Sequence, residues 1–173
     1  MDFSKIKKIY MIGIKGVGMT MLAEFLRHEG KEISGSDVVE TFMTDAVLAK
    51  ADIPVYQGFS ATQVPADVDL IIYSTAYTAL TNEEVAVALA SSVPVITQIE
   101  GVAEVFNRHY GIAVSGSHGK TTTSAWLAFV LKEAGLDPNA MIGARVPQLG
   151  GESLHGRSNY FVLEADEYQN KLK

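Results

Sequence analysis

The stretch SGSHGKTTTS, residues 115–124, is the part of the chain whose residue types and spacing most plainly promise chemistry. It contains G-x-x-G-K-T-T, a compact relative of the phosphate-gripping pattern G-x-x-x-x-G-K-[ST], whose first glycine is replaced here by Val114. Glycines let backbone N–H groups turn inward around an anion, and a following helix adds positive potential at its N-terminus. On this reading Gly116, Ser117, His118, Gly119, Lys120, Thr121 and Thr122 form a phosphate loop. Lys120 supplies a mobile charge for terminal phosphates, and the Thr121 hydroxyl suits Mg²⁺. The bland alternative is a Ser/Thr helix cap with an exposed lysine.

A magnesium-bearing triphosphate needs a carboxylate nearby. Glu164 supplies one directly after the apolar run Tyr160–Leu163, with Asp166 and Glu167 as alternatives in the same acidic cluster. Near the N-terminus, Gly13-Ile14-Lys15-Gly16-Val17-Gly18-Met19 opens a second candidate loop. Gly16 and Gly18 fit the dinucleotide fingerprint G-x-G-x-x-G, but Met21 stands where its third glycine belongs, and Lys15 is atypical of such a site. The loop suits a pyrophosphate, with Asp37 placed to accept hydrogen bonds from a ribose or base. Ser74, Thr75 and Ala76 follow the fourth apolar run and either touch the same ligand or cap the next segment.

The elements that must position these residues are legible as short apolar runs alternating with helical-period segments, the pattern of a parallel sheet wrapped by helices. Strands are expected at residues 8–12, 32–34, 55–56, 70–73 and 93–96, and helices at 18–28, 42–50, 82–90 and 99–107. A second strand-loop-helix follows, with a strand at 110–115 and a helix at 120–134, and a further strand at 160–163. The expected organisation is a Rossmann-like five-stranded parallel domain over residues 1–108, followed over 109–173 by the start of a P-loop ATP-binding α/β domain. With about 63 residues after Tyr110, the second unit is expected to hold only two or three strands, so the chain reads as cut short. Trp126 is expected in the core beside Leu127 and Val130, and His28, His109 and His155 at the surface.

Composition narrows the classes. A net charge of −6 disfavours nonspecific nucleic-acid or anionic-membrane binding, and the lack of cysteine excludes disulfides and thiolate chemistry. Lysines before the first apolar run imitate a secretion signal, but Lys15 interrupts it early. No apolar stretch approaches the roughly 20 residues of a membrane span, so a soluble cytoplasmic protein is expected.

Taken together, GIKGVGM (13–19), SGSD (34–37), STA (74–76), SGSHGKTTT (115–123), AGLDP (134–138) and EADEY (164–168) resemble the N-terminal part of the Mur ligases of peptidoglycan synthesis. The resemblance is greatest to members joining L-alanine to UDP-N-acetylmuramate, or a recycled tripeptide to the same acceptor. It implies ATP and Mg²⁺ as cofactors, an acyl-phosphate intermediate, Lys120, His118 and Glu164 in catalysis, and Thr121 with Glu164 at the metal. It further implies that Gly13, Lys15, Gly16, Val17, Gly18, Met19, Asp37, Ser74, Thr75 and Ala76 hold the UDP-sugar. Later segments of the family are not among these residues, so this chain by itself is expected to be inactive. A noncatalytic UDP-sugar-binding module and a nicotinamide-dependent oxidoreductase are the other readings; the second leaves SGSHGKTTT without a task.

Overall fold

A computed structural model describes residues 3–165. The chain divides into two compact units, residues 1–101 and 102–173. The first holds strands β1 (Lys8–Ile12), β2 (Glu32–Asp37), β3 (Val55–Gln57), β4 (Leu70–Tyr73) and β5 (Val95–Thr97) in the order β3-β2-β1-β4-β5. Every pairing is parallel. Ile9, Tyr10, Met11 and Ile12 are almost wholly buried, as are Leu70, Ile71 and Ile72. Apolar side chains on both faces oblige helices to cover both. Helix α1 (Val17–His28) buries Met19, Leu22, Ala23, Phe25 and Leu26. On α3 (Glu83–Ala90), Val85 and Ala88 pack with Tyr10, Ile12 and Ile71.

Helix α2 (Met43–Lys50) starts where the Asp45 carboxylate accepts the Phe42 N–H at 2.6 Å. That bond, followed by the ammonium of Lys15, holds the Asp45 carboxyl below the usual aspartate range. A lowered folded-state value contributes stability that is present above the unfolded value and lost as pH falls. Wild type is therefore expected to exceed Asp45→Asn in stability by about 0.5–1 kcal/mol at neutral pH. The gap should close below about pH 4, which urea unfolding across pH 3–7 checks.

Helix α4 (Gln98–Phe106) spans the division between the units. The second unit contains β6 (Tyr110–Val114), α5 (Lys120–Glu133), β7 (Asn139–Val146), a 3₁₀ turn at Pro147–Leu149, β8 (Gly151–Leu154) and β9 (Tyr160–Glu164). Its strand order is β6-β9-β7-β8, with β8 antiparallel to β7. Four strands replace the expected two or three. The run Asn139–Val146 escaped notice because only its first four residues are buried; Gly143, Ala144 and Arg145 are exposed and erase the apolar signature. Ala128, on α5, packs with Ala140, Ile142, Leu149 and Val162.

Four side chains correct the sequence reading. Trp126 is 74% exposed and Val130 is 59% exposed, because α5 buries only Ser124 and Ala128 along its length. His109 is half-buried with its ring 5.3 Å from that of Phe161, and Nδ1 lies 2.8 Å from the Val105 carbonyl oxygen. His155 is half-buried, with Nε2 3.1 Å from Ser153 Oγ.

Candidate functional site

In the first unit the strand order reverses between β1 and β4, the kind of switch point at which open α/β sheets bind ligands outside the C-terminal ends of their strands. Loop 13–16 leaves β1 here, and Ser74–Tyr77 leaves β4. A Cβ added to Gly13 would stand 2.8 Å from the Tyr77 ring and 2.9 Å from Ser74 Cβ, so those side chains press against the loop. Gly16 and Val17 are exposed, and Gly16 precedes α1 without any side-chain cap. The first-turn N–H groups of Val17, Gly18 and Met19 therefore have no side-chain acceptor, which is the condition for gripping an anion.

The expected ligand side chains divide into two groups. Gly16, Val17 and Thr75 face solvent, and Gly18 and Ser74 are partly exposed. Lys15 turns inward instead: its ammonium donates to the carbonyls of Val38 at 2.8 Å and Glu40 at 2.9 Å, and to Gln57 Oε1 at 3.2 Å. It also pairs with Asp45 at 3.2 Å, its side chain only 2% exposed. Asp37, 4% exposed, accepts the Lys15 and Val38 N–H groups at 2.6 and 2.8 Å and so braces the loop. Met19 is 3% exposed, on the core side of α1. Ser74 Oγ accepts the Ala76 N–H at 3.3 Å, the capping alternative for this segment.

Sequence reasoning missed Tyr77 and Gln98. The Tyr77 phenol is held above its ordinary pKa by burial and then by the charges of Asp37 and Glu40. A Cβ on Gly18 would lie 2.8 Å from the Gln98 amide nitrogen, so this carboxamide overlies the first turn of α1. Neither residue belongs to a local motif; each arrives from the end of another strand, and only the sheet brings them to the loop.

In the second unit, β6 and β9 pair in parallel with Val114 opposite Glu164. This register sets the carboxylate beside the loop that begins at Ser115. Thr121 Oγ1 donates to Glu164 Oε1 at 2.6 Å, and the Gly143 N–H donates to Oε2 at 2.8 Å. Lys120 Nζ donates to the Gly116 carbonyl at 2.8 Å, folding its charge across the loop mouth. Gly119 begins α5 at φ 76°, a left-handed conformation costly for any residue with a Cβ, and supplies no side-chain cap. Ser117, His118, Gly119 and Thr122 are exposed, leaving loop and first-turn amides open to an incoming anion. Asp166 and Glu167 lie outside the described residues.

Two hard oxygen donors side by side suit Mg²⁺. Among the described residues no group of three or more His, Cys, Asp and Glu is placed to hold a metal ion. No described helix is long and apolar enough to cross a membrane.

The sequence profile described as "Mur ligase family, catalytic domain" matches residues 8–110, more than half of the chain. The chain belongs to the Mur ligase family. Among relatives of this Mur ligase chain, the UDP-N-acetylmuramate–L-alanine ligase of Desulfitobacterium hafniense is 42% identical over 162 residues, covering 93% of this chain and 35% of that protein. The family likeness extends to crystal structures. The UDP-N-acetylmuramate:L-alanyl-gamma-D-glutamyl-meso-diaminopimelate ligase from Neisseria meningitides shares 33% identity at a TM-score of 0.85, over 95% of this chain and 54% of that one. The UDP-N-acetylmuramate–alanine ligase of Thermotoga maritima shares 32% at 0.83, over 92% and 37%. This Mur ligase chain spans about a third of the length of the curated relatives it matches, 35% and 37% in two cases.

Proposed function

We propose that this chain supplies the UDP-N-acetylmuramate-binding unit and the ATP phosphate loop of a cytoplasmic ligase of peptidoglycan synthesis that joins L-alanine to the sugar's lactyl carboxylate. The observation that carries the reading is the contact of Thr121 with Glu164 at 2.6 Å beside Lys120, at the mouth of an uncapped helix. Phosphorylating the carboxylate replaces a poor leaving group by phosphate, after which the amine attacks the acyl carbon and phosphate departs. Such chemistry asks for positioning and charge neutralisation more than for a protein nucleophile.

Lys120 and the loop amides from Gly116 to Gly119 would hold the transferring phosphoryl group, with Ser117 and Thr122 lining the same mouth. Thr121 and Glu164 would hold Mg²⁺, which when bound neutralises phosphate charge. His118, exposed in the loop, would orient the acceptor. In the first unit, amides of Gly16, Val17 and Gly18 would take the diphosphate, Ser74, Thr75 and Ala76 would border it, and Gly13, Lys15, Met19 and Asp37 would shape the loop from within. The first unit would serve as the sugar-nucleotide domain, and the second as part of the ATP-binding domain.

Titration of the folded chain with UDP-N-acetylmuramate is expected to give a Kd in the micromolar to millimolar range, roughly −8 to −4 kcal/mol. Absence of any heat or competition in a folded sample would contradict the assignment. Glu164→Gln keeps a hydrogen-bonding partner for Thr121 but removes the charge. It is expected to weaken Mg·ATP binding several-fold in the full-length ligase while sparing Mg-free nucleotide, read by fluorescence competition with and without chelator.

A second reading, the peptide-transferring ligase acting on the same acceptor, is favoured by the similarity to the Neisseria enzyme. Assaying the full-length protein with L-alanine against L-alanyl-γ-D-glutamyl-meso-diaminopimelate separates the two.

A further inference from the structure

Glu84 sits in the first turn of α3 with none of its surface exposed. Its Oε2 accepts from Ser36 Oγ in a short hydrogen bond and from the Tyr10 hydroxyl at 3.3 Å, and its Oε1 accepts the Ser60 N–H at 2.9 Å. Burial pushes its carboxyl above the usual glutamate range, so the charge is held there at a cost. A well-packed apolar side chain of similar size would escape that cost. What the carboxylate supplies instead is a fixed point for two loops.

Ser36 is the link. Its hydroxyl donates to Glu84, while its carbonyl accepts the N–H groups of Gly13 at 2.8 Å and Ile14 at 3.2 Å. The next residue, Asp37, takes the Lys15 N–H at 2.6 Å. Three consecutive amides of the loop therefore hang from residues 36 and 37, and residue 36 is tied to Glu84. On the opposite side the Ser60 bond ties down the segment after β3.

We propose that Glu84 is a positioning residue for the diphosphate-gripping loop, setting through Ser36 where the loop 13–16 and the amides at the start of α1 stand. It never touches the ligand. This rests on the UDP-sugar reading of the first unit.

The test is a double-mutant cycle on ligand affinity, with stability read in parallel. Chain 1–173 as wild type, Glu84→Gln, Ser36→Ala and the double variant is titrated calorimetrically with UDP-N-acetylmuramate, well below each melting temperature. Each single change is expected to raise Kd about tenfold, and the double change to add little beyond the larger of the two, the non-additivity of residues in one network. Asn82→Ala is the control for a merely structural role. Asn82 Oδ1 caps the same helix by accepting from the N–H groups of Glu84 at 2.9 Å and Val85 at 3.1 Å. Its loss should lower Tm while leaving Kd within about twofold.

Unchanged affinity in Glu84→Gln and Ser36→Ala would overturn the proposal, as would additive effects or an equal loss in Asn82→Ala. Failure of wild type itself to bind would instead remove the UDP-sugar reading on which this one stands.

Discussion

Lys120→Ala in the full-length ligase is expected to lower ATP-dependent amide formation by about 10³-fold or more, with UDP-N-acetylmuramate affinity held within about twofold. The Lys120 ammonium is the only positive side chain within the stretch 115–124, and it reaches the Gly116 carbonyl at 2.8 Å, across the loop that would hold the phosphates. On the proposed function, removing it would take away a charge placed where negative charge gathers during phosphoryl transfer. Alanine is a good helix former, so α5 should survive the change. The sugar nucleotide, in contrast, is assigned to loop 13–16, on a different sheet. Steady-state rates together with an equilibrium titration separate the two effects. Parallel loss of both would mean that one site, not two, handles the phosphates.

A large effect on stability is expected of Gly35→Ala. On β2, Gly35 lies opposite Met11 of β1. A Cβ there would stand 2.2 Å from the Met11 carbonyl oxygen and 2.9 Å from Ile14 Cδ1. The first obstacle is backbone of the neighbouring strand, so no rotamer change relieves it. Accommodation requires β2 to leave β1 and to carry Ser36 and Asp37 with it. A loss of more than about 4 kcal/mol, or failure of the first unit to fold cooperatively, is expected in urea unfolding. Gly30→Ala is the natural comparison: nothing lies within 4 Å, and only its φ of +84° penalises a side chain, by about 1–2 kcal/mol. Equal costs at the two positions would refute the strand-contact argument.

Some features were legible because they are local. A parallel strand buried on both faces must be an unbroken apolar run, and KIYMI and LIIY are such runs. Helix α1 announces itself by the spacing of Met19, Leu22, Ala23 and Leu26. The candidate loop 115–124 is likewise a continuous segment whose glycines and lysine lie close together in sequence. Misreadings arose where a residue's fate depends on what packs against it. Trp126 has the composition of a core residue, yet α5 turns it outward. Packing also sets the direction of Lys15, whose ammonium is surrounded by four oxygens from residues 38 to 57. The strand at Asn139–Val146 is half exposed and carries no alternation to detect.

By itself, then, the amino-acid order determined the alternation of strands and helices and the two glycine-bearing turns, since each depends on neighbours within a few positions. Thr121 and Glu164, expected together from the resemblance, do meet across 43 residues of chain, but only the tertiary structure decided that Tyr77 lies against the first loop, that Gln98 lies over the first turn of α1, and that Glu84 is tied to that loop through Ser36. Those partners are chosen by strand register and sheet order, which arise from burying apolar faces together and leave no periodic trace in the residues they bring into contact.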